Sequence, residues 1–175
     1  MTKDLIDAIR ERRSVRRFED AEIPEATLGR ILECARLAPS AGNRQPWLFL
    51  VVRNRELKHR LVEAALGQTF IAQAPVAIVV CSDVPRSTER YGERGRTLYC
   101  LQDTAAAIEN ILLAANAFGL GSCWVGAFDE EKVAGIFDLD PRVHRPVAII
   151  PLGTPAESPS PRPRRSIDEI VRVYD

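Results

Sequence analysis

The chain has 175 residues, 46% apolar and 27% charged, with 24 basic and 24 acidic side chains that cancel to zero net charge. That length suits one domain, residues 1–175, with a real core and is short for two, and the composition is that of a soluble globular protein. The charge balance excludes a global pull toward nucleic acid or a membrane, so any anion site must be a local cluster. Cys34, Cys81, Cys100 and Cys123 form no C-x-x-C pair. The opening Met1-Thr2-Lys3-Asp4 carries no signal peptide, so reduced thiols in a cytoplasmic protein are expected. No apolar run approaches the ~20 uninterrupted residues of a membrane helix. His59 and His144 stand far apart in polar settings, and no metal site is expected.

Asp4 to Arg13 reads as an amphipathic helix with Leu5, Ile6 and Ile9 on one face. It runs into Arg10-Glu11-Arg12-Arg13-Ser14-Val15-Arg16-Arg17-Phe18, where five arginines fall in eight positions. Two readings stand here. Cations suit a helix C-terminus facing water. Alternatively, Val15 and Phe18 mark an extended exit that keeps Arg12, Arg13, Ser14 and Arg16 together, and guanidinium forks with a hydroxyl are what a buried phosphate requires. Ile23-Pro24-Glu25 opens a second helix with Leu28, Ile31, Leu32 and Ala35 at helical spacing, ending before Pro39. Pro39-Ser40-Ala41-Gly42-Asn43-Arg44-Gln45-Pro46-Trp47 then connects to a strand, Trp47 to Val52. Its prolines and glycine make an ordinary turn, yet it also aligns Ser40, Asn43, Arg44 and Gln45 as a loop holding a polar, planar ligand would.

Glu56 to Leu66 is a helix closed by Gly67, and Ala74 to Cys81 a strand buried on both faces. Ser82 to Arg96, with Pro85, Gly92 and Gly95, reads as a long polar connection and a candidate lid. Thr97 to Phe118 is the longest helical pattern and is apolar almost all round in its second half, which predicts a central position with a subunit interface as part of its cover. Gly119-Leu120-Gly121-Ser122-Cys123-Trp124-Val125-Gly126 ends it and leads into a short extended segment. Asp129 caps the next helix, and Pro146 to Leu152 is a further buried strand. Thr154 to Pro163 is a proline-rich arm, followed by Arg162, Arg164, Arg165 and a short amphipathic end at Ile167, Ile170 and Val171. The order predicts an α+β fold with a mixed, largely antiparallel central sheet covered by helices. The glycines at 119–126 follow a helix and miss the G-x-G-x-x-G spacing of dinucleotide folds. No P-loop, nucleophile elbow or side-chain triad is present, so no catalytic residue is assigned.

Four separated segments share one likeness. Arg12-Arg13-Ser14-Val15-Arg16, the loop Pro39 to Trp47, Gly119 to Gly126, and the tail Pro161-Arg162-Pro163-Arg164-Arg165 with Ile170-Val171 all resemble the nitroreductase-like flavoprotein family. The resemblance implies a homodimer holding FMN at its interface, a C-terminal arm reaching the partner subunit, and ping-pong reduction of a small acceptor such as a nitroaromatic or quinone with electrons from NADH or NADPH. Position by position, it implies that Arg12, Arg13 and Ser14 hold the phosphate and ribityl chain and that Arg16 faces the N1–C2 edge of the ring. Pro39, Ser40, Asn43 and Gln45 meet the cofactor from the other subunit. Gly126 and Ala127 face the N5 side, Gln68 lies near the ring, and Arg162 and Arg164 close on the phosphate. A fixed cation near N1 stabilises the negative charge of reduced flavin, a role that falls to Arg16.

Ser166 stands where the family's tail commonly has a proline, and segment 82–96 replaces larger substrate-covering segments. The family also has dehalogenating and flavin-fragmenting members. A flavin-binding sensor or carrier without turnover uses the same arginines. A nucleic-acid surface is disfavoured by zero net charge and few aromatics.

Overall fold

Strand β2 (Val76–Asp83) lies at the centre of a computed structural model that describes residues 2–174. Its run Val-Ala-Ile-Val-Val-Cys offers no polar face, so it must be covered on both sides. It pairs on one edge with β1 (Trp47–Val52) and on the other with β4 (His144–Gly153), and a two-residue β3 (Gly121–Ser122) extends the far edge. The order is β1-β2-β4-β3 and all three ladders are antiparallel, with Leu50 opposite Val79 and Val79 opposite Ile149. A register shift between Val80 and Cys81 bends the pairing with β4. The largely antiparallel sheet predicted from the element order is therefore present, and its parallel component is an isolated bridge between Ser14 and Ser122.

The period-two alternation of β2 sends its side chains into two apolar layers. Val76, Ile78 and Val80 pack with Leu28, Ile31 and Ala35 of α2 (Glu25–Arg36) and with Ile108, Ile111, Leu112 and Ala115 of α6 (Cys100–Ala117). Ala77, Val79 and Cys81 face Leu61 and Ala64 of α3 (Arg55–Ala64), Ile71 of α4 (Phe70–Gln73) and Val133 of α7 (Glu130–Ile136). Each fully buried aliphatic side chain contributes about 1.5–3 kcal/mol of transfer free energy, which makes these layers the main source of stability. Asp129 caps α7 as expected, accepting from the Lys132 N–H at 3.1 Å. All four cysteines are free thiols. Burial pushes the Cys81 thiol up to about 12, so it is an inert part of the core. No described helix is long and apolar enough to cross a membrane.

Three expectations need correction. Segment 82–96 is not a loop: β2 continues to Asp83, and α5 (Val84–Arg94) follows, joined to α6 by a π-helical turn at Gly95–Tyr99. Asp83 caps α5 by accepting from the Arg86 N–H at 3.1 Å, and Pro85 sits in the first turn, where its missing N–H is no loss. Read as breakers, Pro85 and Gly92 are a start signal and a kink, Gly92 having φ +53°. Second, α6 begins at Cys100 and not at Thr97. Leu113, Ala114, Ala117 and Phe118 line an open cleft of about 460 Å³ with Leu5 and Leu37. Third, α1 (Leu5–Glu11) ends before Arg13 and buries Ala8, while Leu5, Ile6 and Ile9 stay 66%, 53% and 52% exposed.

Gly95 is the tightest point between α5 and the turn before α6, because a Cβ there overlaps the Ser87 carbonyl oxygen. Replacing Gly95 with Ala is expected to destabilise the protein by about 1–3 kcal/mol, as overpacking does. Urea unfolding monitored by circular dichroism measures the shift.

Candidate functional site

The arginine segment follows directly from the end of α1. Arg12 closes the helix through its N–H to Ala8 O at 3.1 Å, and the chain then runs extended along the sheet edge. The Val15 N–H donates to Ser122 O, the Glu19 N–H to Thr154 O, and the Ala156 N–H to Arg17 O, each at 2.9 Å. Val15 is buried, and Gly121 opposite it has no room for a side chain, since a Cβ would lie 2.9 Å from Val15 Cβ. These bonds hold the N-terminal arginines beside the C-terminal arm. Arg12, Arg13, Ser14, Arg16, Pro159, Ser160, Arg162 and Arg164 line one cavity of about 270 Å³. Six of the residues expected from the sequence are thus brought together from opposite ends of the chain.

The cavity's charge is poorly compensated, since no carboxylate lines it. Arg12 reaches Glu109 only at 4.0 Å. Arg13 donates to the carbonyls of Arg10 and Arg12 at 2.7 and 2.9 Å. Arg16, Arg162 and Arg164 have no ion pair among the described residues. Glu157, the one acid in the proline-rich arm, instead accepts from the Arg16 backbone N–H at 2.5 Å. Sequence reading missed Glu157, although a lone carboxylate in that arm was a visible signal. Cys123 was missed as well. Burial raises its thiol pKa, while the charge of Arg16, the Ser14 hydroxyl and the charge of Arg12 pull it back. Clustered guanidinium groups with a hydroxyl and little acid nearby can meet an oxyanion with charge-assisted hydrogen bonds.

Beyond the cavity, the Arg16 guanidinium lies over the Phe70 ring, 5.8 Å from its centroid, a cation–π contact that the sequence did not suggest. Gln68, just before α4, donates through Nε2 to Ala127 O and Ala65 O, both at 2.9 Å. Gln68 and Ala127 are therefore joined, and Gly126 and Ala127 are exposed beside them.

The loop Pro39–Gln45 stands apart from this cavity. Gly42, Asn43 and Gln45 adopt left-handed backbone with φ of 55°, 55° and 52°. For residues other than glycine such strain costs on the order of 1 kcal/mol each and persists only where the surroundings over-determine it. Ser40 Oγ accepts from the Gln45 N–H at 2.9 Å, and Gln45 Nε2 donates to Asn43 Oδ1 at 3.2 Å. Ala41 N–H donates to Asp103 Oδ1 at 3.0 Å. Arg44 does not join the polar row expected of it: it pairs with Glu89 and donates through Nε to Arg86 O at 2.9 Å on α5. Pro39 and Asn43 are left exposed.

A helix-covered antiparallel sheet with a basic cavity joining its two chain ends defines an α+β protein. The nitroreductase family profile matches residues 9–73 and 63–154. A protein of Methanothermobacter thermautotrophicus, provisionally named NADH dehydrogenase/NAD(P)H nitroreductase, is 41% identical over 163 residues, covering 91% of this chain and 81% of its own. The FMN reductase [NAD(P)H] of Bacillus subtilis is 27% identical over 174 residues, 92% of this chain and 70% of its own. The crystal structure of the nitroreductase family protein of Streptococcus pneumoniae superposes with a TM-score of 0.88 at 26% identity, covering 98% of this chain and all of that one. The chain belongs to the nitroreductase family.

Gly42 is constrained twice, by its left-handed φ and by the Tyr91 hydroxyl, which occupies the space a Cβ would take. Gly42→Ala is expected to destabilise the loop by about 1–3 kcal/mol. Amide exchange at residues 40–46, measured against the sheet, detects the loosening.

Proposed function

We propose that this chain is an FMN-dependent oxidoreductase that takes electrons from NADH or NADPH and reduces a small planar acceptor, such as a nitroaromatic or a quinone. The observation that carries this reading is the cavity of five arginines and Ser14 with no carboxylate in its wall. A phosphate leaving water must be met by several charge-assisted hydrogen bonds, and this cavity offers them. Its volume, about 270 Å³, fits a phosphate and the start of the attached chain. The flat remainder of the cofactor then requires an adjacent surface, for which Phe70, Gln68, Gly126 and Ala127 are available.

In this reading Arg12, Arg13, Ser14, Arg162 and Arg164 bind the phosphate end. Arg16, now resting on Phe70, supplies the fixed cation for the N1–C2 edge. Gly126 and Ala127 offer backbone, not a side-chain base, toward N5. The chemistry supplied by bound FMN is transfer of a hydride equivalent from nicotinamide to acceptor, which explains why the chain needs no catalytic triad. The family membership and the naming of the Bacillus subtilis relative as an FMN reductase support the same reading.

The functional unit in this proposal is a homodimer. Leu5, Ile6, Ile9 and Leu37 expose more than half of their surface, and the cleft beside α6 is open. The C-terminal helix α8 (Ile167–Ile170) and the residues after it expose Ile167, Ile170, Val171, Val173 and Tyr174. Two unpartnered apolar surfaces on one chain satisfy each other when the arm of one copy lies on the other. Such an arrangement also brings the loop Pro39, Ser40, Asn43 and Gln45 to the partner's cofactor.

The purified protein is expected to show a flavin absorption spectrum that bleaches under anaerobic NADH or NADPH and returns on adding acceptor. A colourless protein that takes up no FMN overturns the proposal, and flavin that neither donor reduces points to a carrier. Arg12→Ala is expected to weaken FMN binding by about tenfold or more, the worth of one hydrogen bond to a charged group. Arg16→Ala is expected chiefly to lower the flavin midpoint potential, read by spectroelectrochemistry. Sedimentation of the wild type is expected to give twice the 19.5 kDa chain mass, and Ile6→Asp with Ile9→Asp to shift it toward monomer.

A further inference from the structure

Asp103 is a carboxylate placed where packing favours an apolar residue. It lies in the first turn of α6 and is 6% exposed. Oδ1 accepts from the Ala41 N–H at 3.0 Å, and Oδ2 has no partner among the described residues. The buried hydroxyls of Ser82 and Ser87 also lack one. Burial raises the Asp103 carboxyl pKa, and the Ala41 N–H partly offsets that rise. A buried acid with one satisfied oxygen costs stability compared with a well-packed aliphatic residue, so its single hydrogen bond is where a purpose has to be sought.

That bond goes to the backbone position that opens the left-handed turn. The loop's other side-chain restraints do not reach the core. Ser40 Oγ and the Asn43 and Gln45 side chains bond within the loop itself. Arg44 and Arg86 clasp each other across to α5, an exposed helix kinked at Gly92. At the far end of the loop Pro46 O accepts from the Asp83 N–H at 3.0 Å; within residues 39–45, the bond from Ala41 to Asp103 is the one hydrogen bond among the described residues that reaches a buried side chain. Through α6, whose Ile108, Ile111 and Leu112 pack against the sheet, it fixes the loop to the same body that carries the arginine cavity.

We propose that Asp103 is a positioning residue for the cofactor. Acting through the Ala41 N–H, it holds the turn at Gly42, Asn43 and Gln45 in the left-handed form that presents Pro39, Ser40 and Asn43 to the flavin. This rests on the FMN reading given above. The role requires a buried acceptor at Oδ1 and not a negative charge, so an amide oxygen in the same place serves as well.

Three variants test it. Asp103→Asn keeps the acceptor, Asp103→Leu removes it, and Ala41→Pro removes the donor from the other side. Proline is tolerated at that position, because Ala41 opens a 3₁₀ turn and Ser40 before it is extended at φ −146°, ψ 154°. Hydrogen exchange at residues 42–45 is read on the flavin-free chain, and FMN dissociation constants by flavin fluorescence. Asp103→Leu and Ala41→Pro are expected to speed loop exchange and weaken FMN binding by about tenfold each, the order of one buried hydrogen bond. Exchange in β1 and β2 should stay unchanged, and Asp103→Asn should remain within about threefold of wild type in both readouts. If Asp103→Leu fails to fold, Ala41→Pro carries the same test. Wild-type loop exchange and affinity in Ala41→Pro overturn the proposal, as does an Asp103→Asn variant as defective as Asp103→Leu. A wild-type chain that takes up no FMN overturns the cofactor role, and the exchange data, which need no flavin, separate that failure from a wrongly assigned anchor.

Discussion

The backbone lacing of residues 15–19 onto the sheet edge and the start of the C-terminal arm is the constraint on which the site depends. Three bonds, from Val15 to Ser122, Glu19 to Thr154 and Ala156 to Arg17, bring together segments more than 100 positions apart in the chain. Backbone bonds of this kind are not sensitive to charge, which is what lets them hold five arginines in one wall. Their mutual repulsion in a partly sheltered cavity opposes the arrangement. The close fit of Gly121 against Val15 belongs to the same device, because a side chain at 121 would force the lacing apart.

The second element of the site is built by a different logic. The loop from Pro39 to Gln45 is strained and polar, and it is held by several weak restraints instead of one strong ladder. Its bonds run inward to Asp103, along itself through Ser40 and Gln45, and outward through Arg44 to α5. Where a lid was expected there is a helix, α5. A free loop at 82–96 could swing independently, whereas α5 is clasped to the loop Pro39–Gln45 by Arg44, Arg86 and Glu89 and abuts Gly42 through Tyr91. Loop and helix then form one wall.

The uncovered apolar surface follows from how little chain is available. Two apolar layers on a central sheet consume most of the large aliphatic residues. What remains, on α1, the outer face of α6 and the arm, has no third layer to pack on. In a chain of 175 residues, two such layers leave these faces uncovered within one copy.

The strands, most of the helices and the arginine clusters were legible in the residues, because apolar periodicity and local charge are one-dimensional signals. Pro39, Ser40, Asn43 and Gln45 could be marked as unusual from composition alone. What the sequence could not say is where those side chains point. Ser40, Gln45 and Arg44 turned out to be occupied by bonds to Gln45 N–H, Asn43 and α5, which depends on φ values that no spacing rule predicts. The element at 84–94 was misjudged because proline and glycine have opposite meanings at a helix start and in a loop, and only the cap from Asp83 decides between them. Glu157, Cys123, Phe70 and Asp103 went unmarked because each matters through a neighbour distant in the chain. The sequence by itself determined the fold class, the family likeness and the residue types able to meet a phosphate. The tertiary structure alone decided that the two basic clusters share one cavity, that the loop hangs from a buried carboxylate, and which apolar faces are left open, since each of these is a distance between residues that the order of the chain does not contain.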